Sequence, residues 1–324
     1  MNAPRISLAQ LPTPLQPLNR FCQQNGLPPI WIKRDDLTGS AASGNKLRKL
    51  EFNVGQALQE GATALITCGG IQSNHCRATA IVAASQGLDC HLILRGDPPE
   101  MSDGNLLLDQ LAGAKITYLP AKGYNQALPG AIKAIQDQYE LKNQKAFAIP
   151  IGASDEIGLW GYITACEELK ADFTREGIDP DYIVSATGSG GTAAGLIAGS
   201  QIHGLNAEIL SFNVCDDEAY FVKKITSDVE LWKERYQKEL AESLSINIVE
   251  GYVGLGYGVA GQEVYETIRE LASSEGIFLD PVYTGKAFHG LVSEIKAGRL
   301  KPKSDIVFVH TGGIFGLFPH RDKF

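Results

Sequence analysis

The stretch Ser43-Gly44-Asn45-Lys46-Leu47-Arg48-Lys49-Leu50-Glu51-Phe52 decides how this chain is interpreted. It follows an apolar segment, residues 29–34, that has the composition of a strand, and from Leu47 onward its pattern is helical. Lys46 and Lys49 are three positions apart, so they lie on one face at the start of that helix. Two lysines at this point repel each other and oppose the helix dipole, which predicts a bound anion or a covalent partner as compensation.

A phosphorylated aldehyde would provide both kinds of compensation, because its phosphate is an anion and its aldehyde can form a covalent bond with a lysine. We therefore interpret Lys46 as forming a Schiff base with pyridoxal 5'-phosphate, and Lys49 as helping to hold the phosphate of that cofactor. For this stretch taken alone, the alternative is a solvated basic face on an ordinary helix. Motifs further along the chain favour the first interpretation.

The composition is that of a globular protein that acts on a small molecule. Its 324 residues are enough for about two domains. Hydrophobic side chains make up 44% of them and charged side chains 20%, which is typical of globular proteins. A net charge of −8 without a basic patch argues against a nucleic-acid partner. Neither a targeting signal in residues 1–10 nor an apolar run of roughly 18 residues is visible, so we expect a cytoplasmic protein with no membrane partner. The six cysteines lack Cys-x-x-Cys spacing, so neither disulfides nor a metal site is expected.

Strands alternate with helices through most of the chain, which is typical of doubly wound parallel sheets. One series runs from the lysine helix to a strand at 146–149, and a second runs from a helix at 160–175 to a strand at 305–310. We predict an α/β protein with two such domains, a small one of residues 51–157 and a large one of residues 1–50 plus 158–324. Residues 218–244 are predicted to be mostly helical, and residues 279–286 to form a glycine-flanked turn.

A second motif, Gly69-Gly70-Ile71-Gln72-Ser73-Asn74-His75, follows a strand and begins a helix. Backbone N–H groups at a helix start bind anions and glycines allow close approach, so this motif fits a substrate carboxylate. Ser73 is then a candidate for carrying a proton or contacting the substrate, and Asn74 for contacting the substrate or a cofactor oxygen. His75 is a further candidate for the substrate. The alternative is that Ser73 or Asn74 only caps the helix.

A third motif, Thr187-Gly188-Ser189-Gly190-Gly191-Thr192, lies between a strand and a helix and has the composition of a phosphate cradle. Gly188-x-Gly190-x-x-Ala193 also resembles a degenerate dinucleotide fingerprint, which would indicate a nicotinamide-dependent oxidoreductase with Asp216 as the ribose ligand. Asp216, however, lies further on than the expected spacing of about 20 residues. An oxidoreductase would also give no role to Lys46, so we prefer the phosphate cradle.

Two further motifs, Leu279-Asp280-Pro281-Val282-Tyr283-Thr284-Gly285-Lys286 and Val309-His310-Thr311-Gly312-Gly313, complete a recognisable set. Over essentially the whole chain, the set resembles the 1-aminocyclopropane-1-carboxylate (ACC) deaminase/D-cysteine desulfhydrase family of fold-type II pyridoxal-phosphate enzymes, whose fold is like that of the tryptophan synthase β subunit. One departure is Ser43, which stands where the family carries glycine. The resemblance implies a homodimeric lyase that acts on a small amino acid, with the cofactor between the two domains.

The resemblance also implies roles for individual residues. Lys46 is the Schiff-base lysine, Ser73 lies at the substrate, and Tyr257 and Tyr283 are paired active-site tyrosines. The residues around the cofactor are Lys49, Asn74, Gly188, Ser189, Gly190, Gly191, Thr192, Thr284 and Thr311.

Thr284 and Thr311 stand at the positions that separate the subfamilies, where ACC deaminases carry glutamate and leucine and D-cysteine desulfhydrases carry threonine. A threonine hydroxyl can only hydrogen-bond a largely neutral pyridine ring, which suffices when a good leaving group departs from Cβ. The resemblance therefore implies α,β-elimination of D-cysteine to pyruvate, ammonia and hydrogen sulfide. ACC deaminase and L-cysteate sulfo-lyase activities are the alternatives. The latter would use His75 and Arg77 near an anionic β-substituent, although Arg77 is expected to face a structural acid.

Overall fold

The computed structural model describes residues 2–240 and 243–324. The strands of this part of the chain are β1 (Leu15–Pro17), β2 (Ile30–Lys33), β3 (Ala64–Gly70), β4 (Asp89–Arg95), β5 (Lys115–Leu119), β6 (Ala146–Ala148), β7 (Tyr182–Thr187), β8 (Glu208–Asn213), β9 (Asn247–Val249) and β10 (Ile306–Val309). Its α-helices are α1 (Asn19–Asn25), α2 (Asn45–Gln59), α3 (Asn74–Ser85), α4 (Gly104–Leu111), α5 (Tyr124–Glu140), α6 (Trp160–Glu176), α7 (Gly191–His203), α8 (Glu218–Tyr236), α9 (Gln262–Glu275) and α10 (Thr284–Lys296).

The larger sheet has the strand order β1-β2-β10-β7-β8-β9, and all its pairings are parallel except that of the edge strand β1. Side chains alternate between its two faces, as the period of a strand requires. Ile183 and Ile209 pack with α6, α7 and α8, whereas Val184 and Leu210 pack with α1, α9 and α10. Helices therefore cover both faces, which confirms the predicted doubly wound architecture.

The smaller sheet has the order β5-β4-β3-β6 and is parallel throughout. Leu65 and Leu92 face α2, α3 and α4, while Ile66 and Ile93 face α5. Its strands come from residues 64–148, inside the predicted small domain of 51–157. Helix α2 contributes to the cores of both sheets, so a limit at residue 50 falls within a shared helix, and the domain limits stay a prediction.

Two local predictions are confirmed only in part. Residues 281–283 form the predicted turn, but the helix α10 begins directly after it, at Thr284. The Asp280 carboxylate accepts the backbone N–H groups of Val282, Tyr283 and Thr284, which satisfies donors that a helix start leaves free.

The helix predicted over 218–244 ends at Tyr236, because Gln237 adopts a left-handed φ of 50°, and β9 follows. Residues 241–242 of that prediction lie outside the described residues. Among the helices of the described ranges, none has both the length and the apolar character needed to cross a membrane.

Candidate active site

A cleft lies between the two sheets, at the carboxyl ends of their parallel strands. Its wall includes Gly70 at the end of β3, Arg95 at the end of β4, Thr187 at the end of β7 and Thr311 after β10. β3 has β4 on one side and β6 on the other, and β7 similarly lies between β8 and β10. Ligands of open α/β sheets bind at such points, where the strand order changes direction.

Lys46 extends from the first turn of α2 into this cleft. Desolvation lowers the pKa of its amine to about 8, although the Asp280 carboxylate opposes the shift. Among residues 2–240 and 243–324, no side chain forms a hydrogen bond or ion pair with Lys46 Nζ. An amine with a lowered pKa and no partner suits a nucleophile that attacks an aldehyde.

The turn before Lys46 requires glycine at one position. Gly44 has a φ of 103°, and a Cβ there would lie 2.7 Å from the Thr311 carbonyl oxygen. Ser43, which departs from the family pattern, is not among the residues with positive φ. The serine is therefore tolerated, because the left-handed conformation falls on the following residue.

Lys49 lies behind the cleft wall and does not line it. Its Nζ donates to the Gly152 carbonyl at 3.1 Å and to Ser154 Oγ at 3.3 Å. A Cβ on Gly191 would lie 2.9 Å from the same ammonium group. Desolvation and the charge of Lys46 lower the pKa of Lys49 well below its ordinary value. The predicted help of Lys49 in holding a phosphate would thus be indirect, through Ser154 and Gly191.

The loop Gly188–Thr192 forms a backbone cradle at the start of α7. Gly190 has a φ of 82°, and a Cβ on Gly188 would lie 2.8 Å from the ring of Tyr283. No side chain caps this helix start, and Asn45 Nδ2 donates to Thr192 Oγ1 at 3.0 Å, which joins the loop to α2. The glycines of this loop leave space that side chains would fill, and that space fits the phosphate of pyridoxal phosphate. The free amine of Lys46 lies next to it and fits the aldehyde.

Ser73 caps α3, and it also lines the cleft. Its Oγ accepts the backbone N–H of Cys76 at 3.2 Å, so its own hydroxyl proton is not used by the cap. Asn74 lines the cleft as well, and its Oδ1 accepts from Arg77 at 3.1 Å. Capping is therefore observed, and the substrate and cofactor roles of both residues stay predictions.

His75 lines the cleft but is almost fully buried. Its Nε2 is 2.7 Å from the hydroxyl of Thr67, which donates to the Ile149 carbonyl. Desolvation and the charges of Lys46 and Lys49 lower the pKa of His75 well below its ordinary value. At neutral pH the imidazole is therefore uncharged and cannot attract an anionic substituent.

Arg77 is also buried, and the structural acid expected near it is Asp109, which acts on it without forming an ion pair. Its guanidinium donates to Asn74 Oδ1, to Asn105 Oδ1 at 2.6 Å and to the Ser43 carbonyl at 2.7 Å. Desolvation lowers the pKa of Arg77 to about 10, although the charge of Asp109 opposes the shift. Arg77 thus ties the start of α3 to the turn before Lys46.

Tyr257 and Tyr283 face each other across the cleft wall. Their hydroxyl oxygens are 2.6 Å apart and their rings meet edge to face, with centroids 5.9 Å apart. Burial raises the pKa of Tyr283 well above its ordinary value, so the phenol stays protonated and can donate a hydrogen bond. The structure brings the pair together, and its catalytic role stays a prediction.

Thr284 and Thr311 differ in their surroundings. Thr311 lines the cleft, and no hydrogen bond to its hydroxyl arises from the described ranges. Thr284 is fully buried behind the wall, where its hydroxyl donates to Asp280 Oδ1 at 2.7 Å and accepts from Asp280 N at 2.9 Å. Of these two threonines, Thr311 is therefore the one that presents a free hydroxyl to the cleft.

Sequence reasoning missed Arg95 and Cys215, which also line the cleft, and it named Asp216, a third residue of the wall, only as the ribose ligand of the oxidoreductase alternative. Cys215 and Asp216 follow the end of β8, and Arg95 ends β4 directly beside Gly70 in the parallel register. The position of Arg95 could have been found, because neighbouring parallel strands end at the same edge of a sheet.

Comparison with known proteins identifies the family. The family model described as pyridoxal-phosphate dependent enzyme matches residues 6–312. The chain belongs to this family. It is 39% identical to the mitochondrial bifunctional D-cysteine desulfhydrase/ACC deaminase of Arabidopsis thaliana, over 98% of this chain and 80% of that protein. A Thermotoga maritima protein, provisionally named an ACC deaminase, is 41% identical over 97% of each chain.

A solved structure supports the same assignment. The crystal structure of an ACC deaminase homologue superposes with a TM-score of 0.89 at 37% identity, covering 99% of this chain and 95% of that one. The resemblance, the fold-type II architecture and the cofactor predicted above are thereby confirmed. The protein is a pyridoxal-phosphate dependent lyase, so the nicotinamide alternative is set aside.

Proposed function

We propose that the protein catalyses the α,β-elimination of D-cysteine, which with one water yields pyruvate, ammonia and hydrogen sulfide. The observation that carries the proposal is that threonines occupy positions 284 and 311, where ACC deaminases carry glutamate and leucine, and that only Thr311 presents its hydroxyl to the cleft. Neither position offers a carboxylate that would keep a pyridine nitrogen protonated. Weak electron withdrawal is adequate for losing a thiolate from Cβ, and the opening of an unactivated three-membered ring demands more.

The geometry supports a division of roles among the cleft residues. Pyridoxal phosphate, when bound, supplies the electron sink that stabilises negative charge at Cα of an amino acid. Lys46 would attach this cofactor, and the loop Gly188–Thr192 with Asn45 would hold its phosphate. The substrate carboxylate would lie at the start of α3, where Gly69 and Gly70 expose the backbone.

Two groups are candidates for moving the α-proton. Lys46, with a pKa of about 8, has a neutral fraction that can accept a proton near neutral pH. Ser73 Oγ keeps its own proton free of the helix cap and faces the same cleft. The hydroxyl pair of Tyr257 and Tyr283 would hydrogen-bond the substrate from the opposite wall. Two variants distinguish these candidates. If Ser73→Ala retains full turnover and Lys46→Arg loses exchange of the α-hydrogen, Ser73 is not the base.

The test is a parallel assay of D-cysteine, L-cysteine, L-cysteate and ACC with the holoenzyme, following pyruvate, 2-oxobutyrate, sulfide and sulfite. We expect D-cysteine to have the highest kcat/KM, with sulfide and pyruvate released in equal amounts. Preference for L-cysteate with sulfite release would retain the elimination chemistry and replace the substrate. A highest kcat/KM for ACC would contradict the argument from the two threonines.

ACC deamination is the second candidate, because the Arabidopsis relative bears both activities in its name. Release of 2-oxobutyrate distinguishes it from elimination, which forms pyruvate. A small side activity on ACC, well below that on D-cysteine, would agree with a bifunctional enzyme of the named kind.

We further propose that the enzyme is a cytoplasmic homodimer, a proposal that rests on the family resemblance. Sedimentation at working concentration should give twice the mass of one chain, and a single-chain mass would contradict it. Fractionation of the source cells tests the localisation, and recovery of the protein outside the cytoplasmic fraction would contradict it.

A further inference from the structure

Arg95 is a cation in the cleft wall, and none of the roles proposed above involves it. It ends β4, its Cα lies opposite that of Gly70 in β3, and its guanidinium carbon is 5.6 Å from the ring centroid of Tyr257. Within residues 2–240 and 243–324, no carboxylate lies within ion-pair distance of Arg95. An arginine stacked on an aromatic ring keeps its edge free to bind an anion.

The remaining cationic groups near the cleft are already occupied. Lys46 would attach the cofactor, and Lys49 and Arg77 are buried behind the wall, where they donate to protein oxygens. The other two anionic groups of the complex also have sites of their own. The phosphate would lie on the loop Gly188–Thr192, and the substrate carboxylate at the start of α3. The part of the substrate left for Arg95 is its Cβ substituent.

Building on the proposed function, we infer that Arg95 is a specificity-determining residue that binds the β-substituent and stabilises it as it leaves with a negative charge. When the α-proton is removed, its electron pair remains at Cα and forms the Cα–Cβ double bond. The Cβ–S bond breaks and its electron pair goes to sulfur, so the thiolate leaves beside the guanidinium and takes a proton from water. The guanidinium would therefore favour amino acids whose β-substituent leaves as an anion, such as a thiolate, that needs stabilisation by a nearby positive charge.

The assignment predicts that the effect of Arg95→Gln depends on the leaving group. For D-cysteine, kcat/KM for sulfide release should fall roughly 10- to 100-fold, as expected for losing one charged hydrogen bond. For 3-chloro-D-alanine, whose chloride needs little stabilisation, the change should stay below about 3-fold. Exchange of the D-cysteine α-hydrogen with D2O, followed by NMR, should continue, because the proton step precedes departure of the thiolate.

Two further variants serve as controls. Arg95→Lys retains the positive charge and should recover part of the lost sulfide release. Arg269→Gln removes another arginine that stacks on an aromatic ring, Phe324 at 5.5 Å, but does not line the cleft, and it should leave both activities unchanged. Absorbance of bound cofactor confirms that each variant folds and is loaded.

The possible outcomes separate this inference from the proposed function. Equal losses for both substrates, loss of α-hydrogen exchange, or no loss with D-cysteine would each overturn the role of Arg95 and leave the D-cysteine activity intact. Failure of the wild-type enzyme to release sulfide from D-cysteine would overturn the proposed function and the inference with it. A loss confined to D-cysteine, with exchange retained, supports the assignment.

Discussion

Replacing Glu168 by glutamine should destabilise the protein by roughly 3 kcal/mol at pH 7. Glu168 on α6 accepts from Arg48 at 2.9 Å, is 2.5 Å from Lys33 Nζ, and accepts the backbone N–H of Thr13 at 2.7 Å. Arg48 also pairs with Asp35 at 2.7 Å in the same buried network. Because Arg48 is two residues after Lys46, the lysine proposed to attach the cofactor, the network holds the helix that positions Lys46.

The magnitude follows from the pKa of this carboxyl. Burial by itself would raise it, but the hydrogen bonds and charges of Arg48 and Lys33 outweigh burial and lower it from 4.5 to about 2. At about 1.4 kcal/mol per pH unit, that difference corresponds to roughly 3 kcal/mol. The folded-state pKa lies below the unfolded one, so this stability is present above pH 4.5 and is lost as pH falls towards 2.

The assay is urea unfolding of the holoenzyme followed by circular dichroism at pH 7 and pH 3. The difference in unfolding free energy between wild type and Glu168→Gln should shrink from roughly 3 kcal/mol at pH 7 to roughly 1 kcal/mol at pH 3. Glu60→Gln, which removes a surface pair with Lys145 at 2.7 Å, is the matched control and should cost less than about 1 kcal/mol. A pH-independent difference, or a cost at pH 7 no larger than that of the control, would refute the reasoning.

Three further predictions concern the cleft. The rate at which cofactor-free protein captures pyridoxal phosphate should rise with pH around 8, because the neutral Lys46 amine is the reactive form; stopped-flow absorbance measures it, and a flat profile from pH 6 to 9 would contradict it. Ser154→Ala removes the hydroxyl that accepts from Gly191 N at 3.2 Å, so cofactor affinity should weaken about tenfold in equilibrium titration, and an unchanged Kd would show that the loop needs no such support. Thr284→Val should cost about 1–3 kcal/mol in thermal unfolding because Asp280 loses a donor, whereas Thr311→Val should cost less than about 1 kcal/mol, and equal costs would contradict the difference in their hydrogen bonding.

The sequence by itself determined the architecture and most of the cleft. Alternation of apolar strands with helices predicts parallel sheets, and parallel strands bring their carboxyl ends to one edge. The motifs at Lys46, Ser73 and Gly188 each follow a strand or begin a helix, so their meeting in one cleft could be expected from local pattern. The family motifs added the cofactor, because a lysine before a helix is ambiguous until a phosphate cradle accompanies it.

Only the tertiary structure decided which of these side chains enter the cleft. Spacing placed Lys46 and Lys49 on one helix face, but packing against Gly152 and Ser154 draws Lys49 behind the glycine loop. The strand pattern could place Arg95 beside Gly70 at the edge of the sheet, but not beside Tyr257, which lies 162 positions away and meets it only through loop packing. Periodicity reports which face of an element is apolar, and the partners of a polar side chain depend on contacts between distant segments.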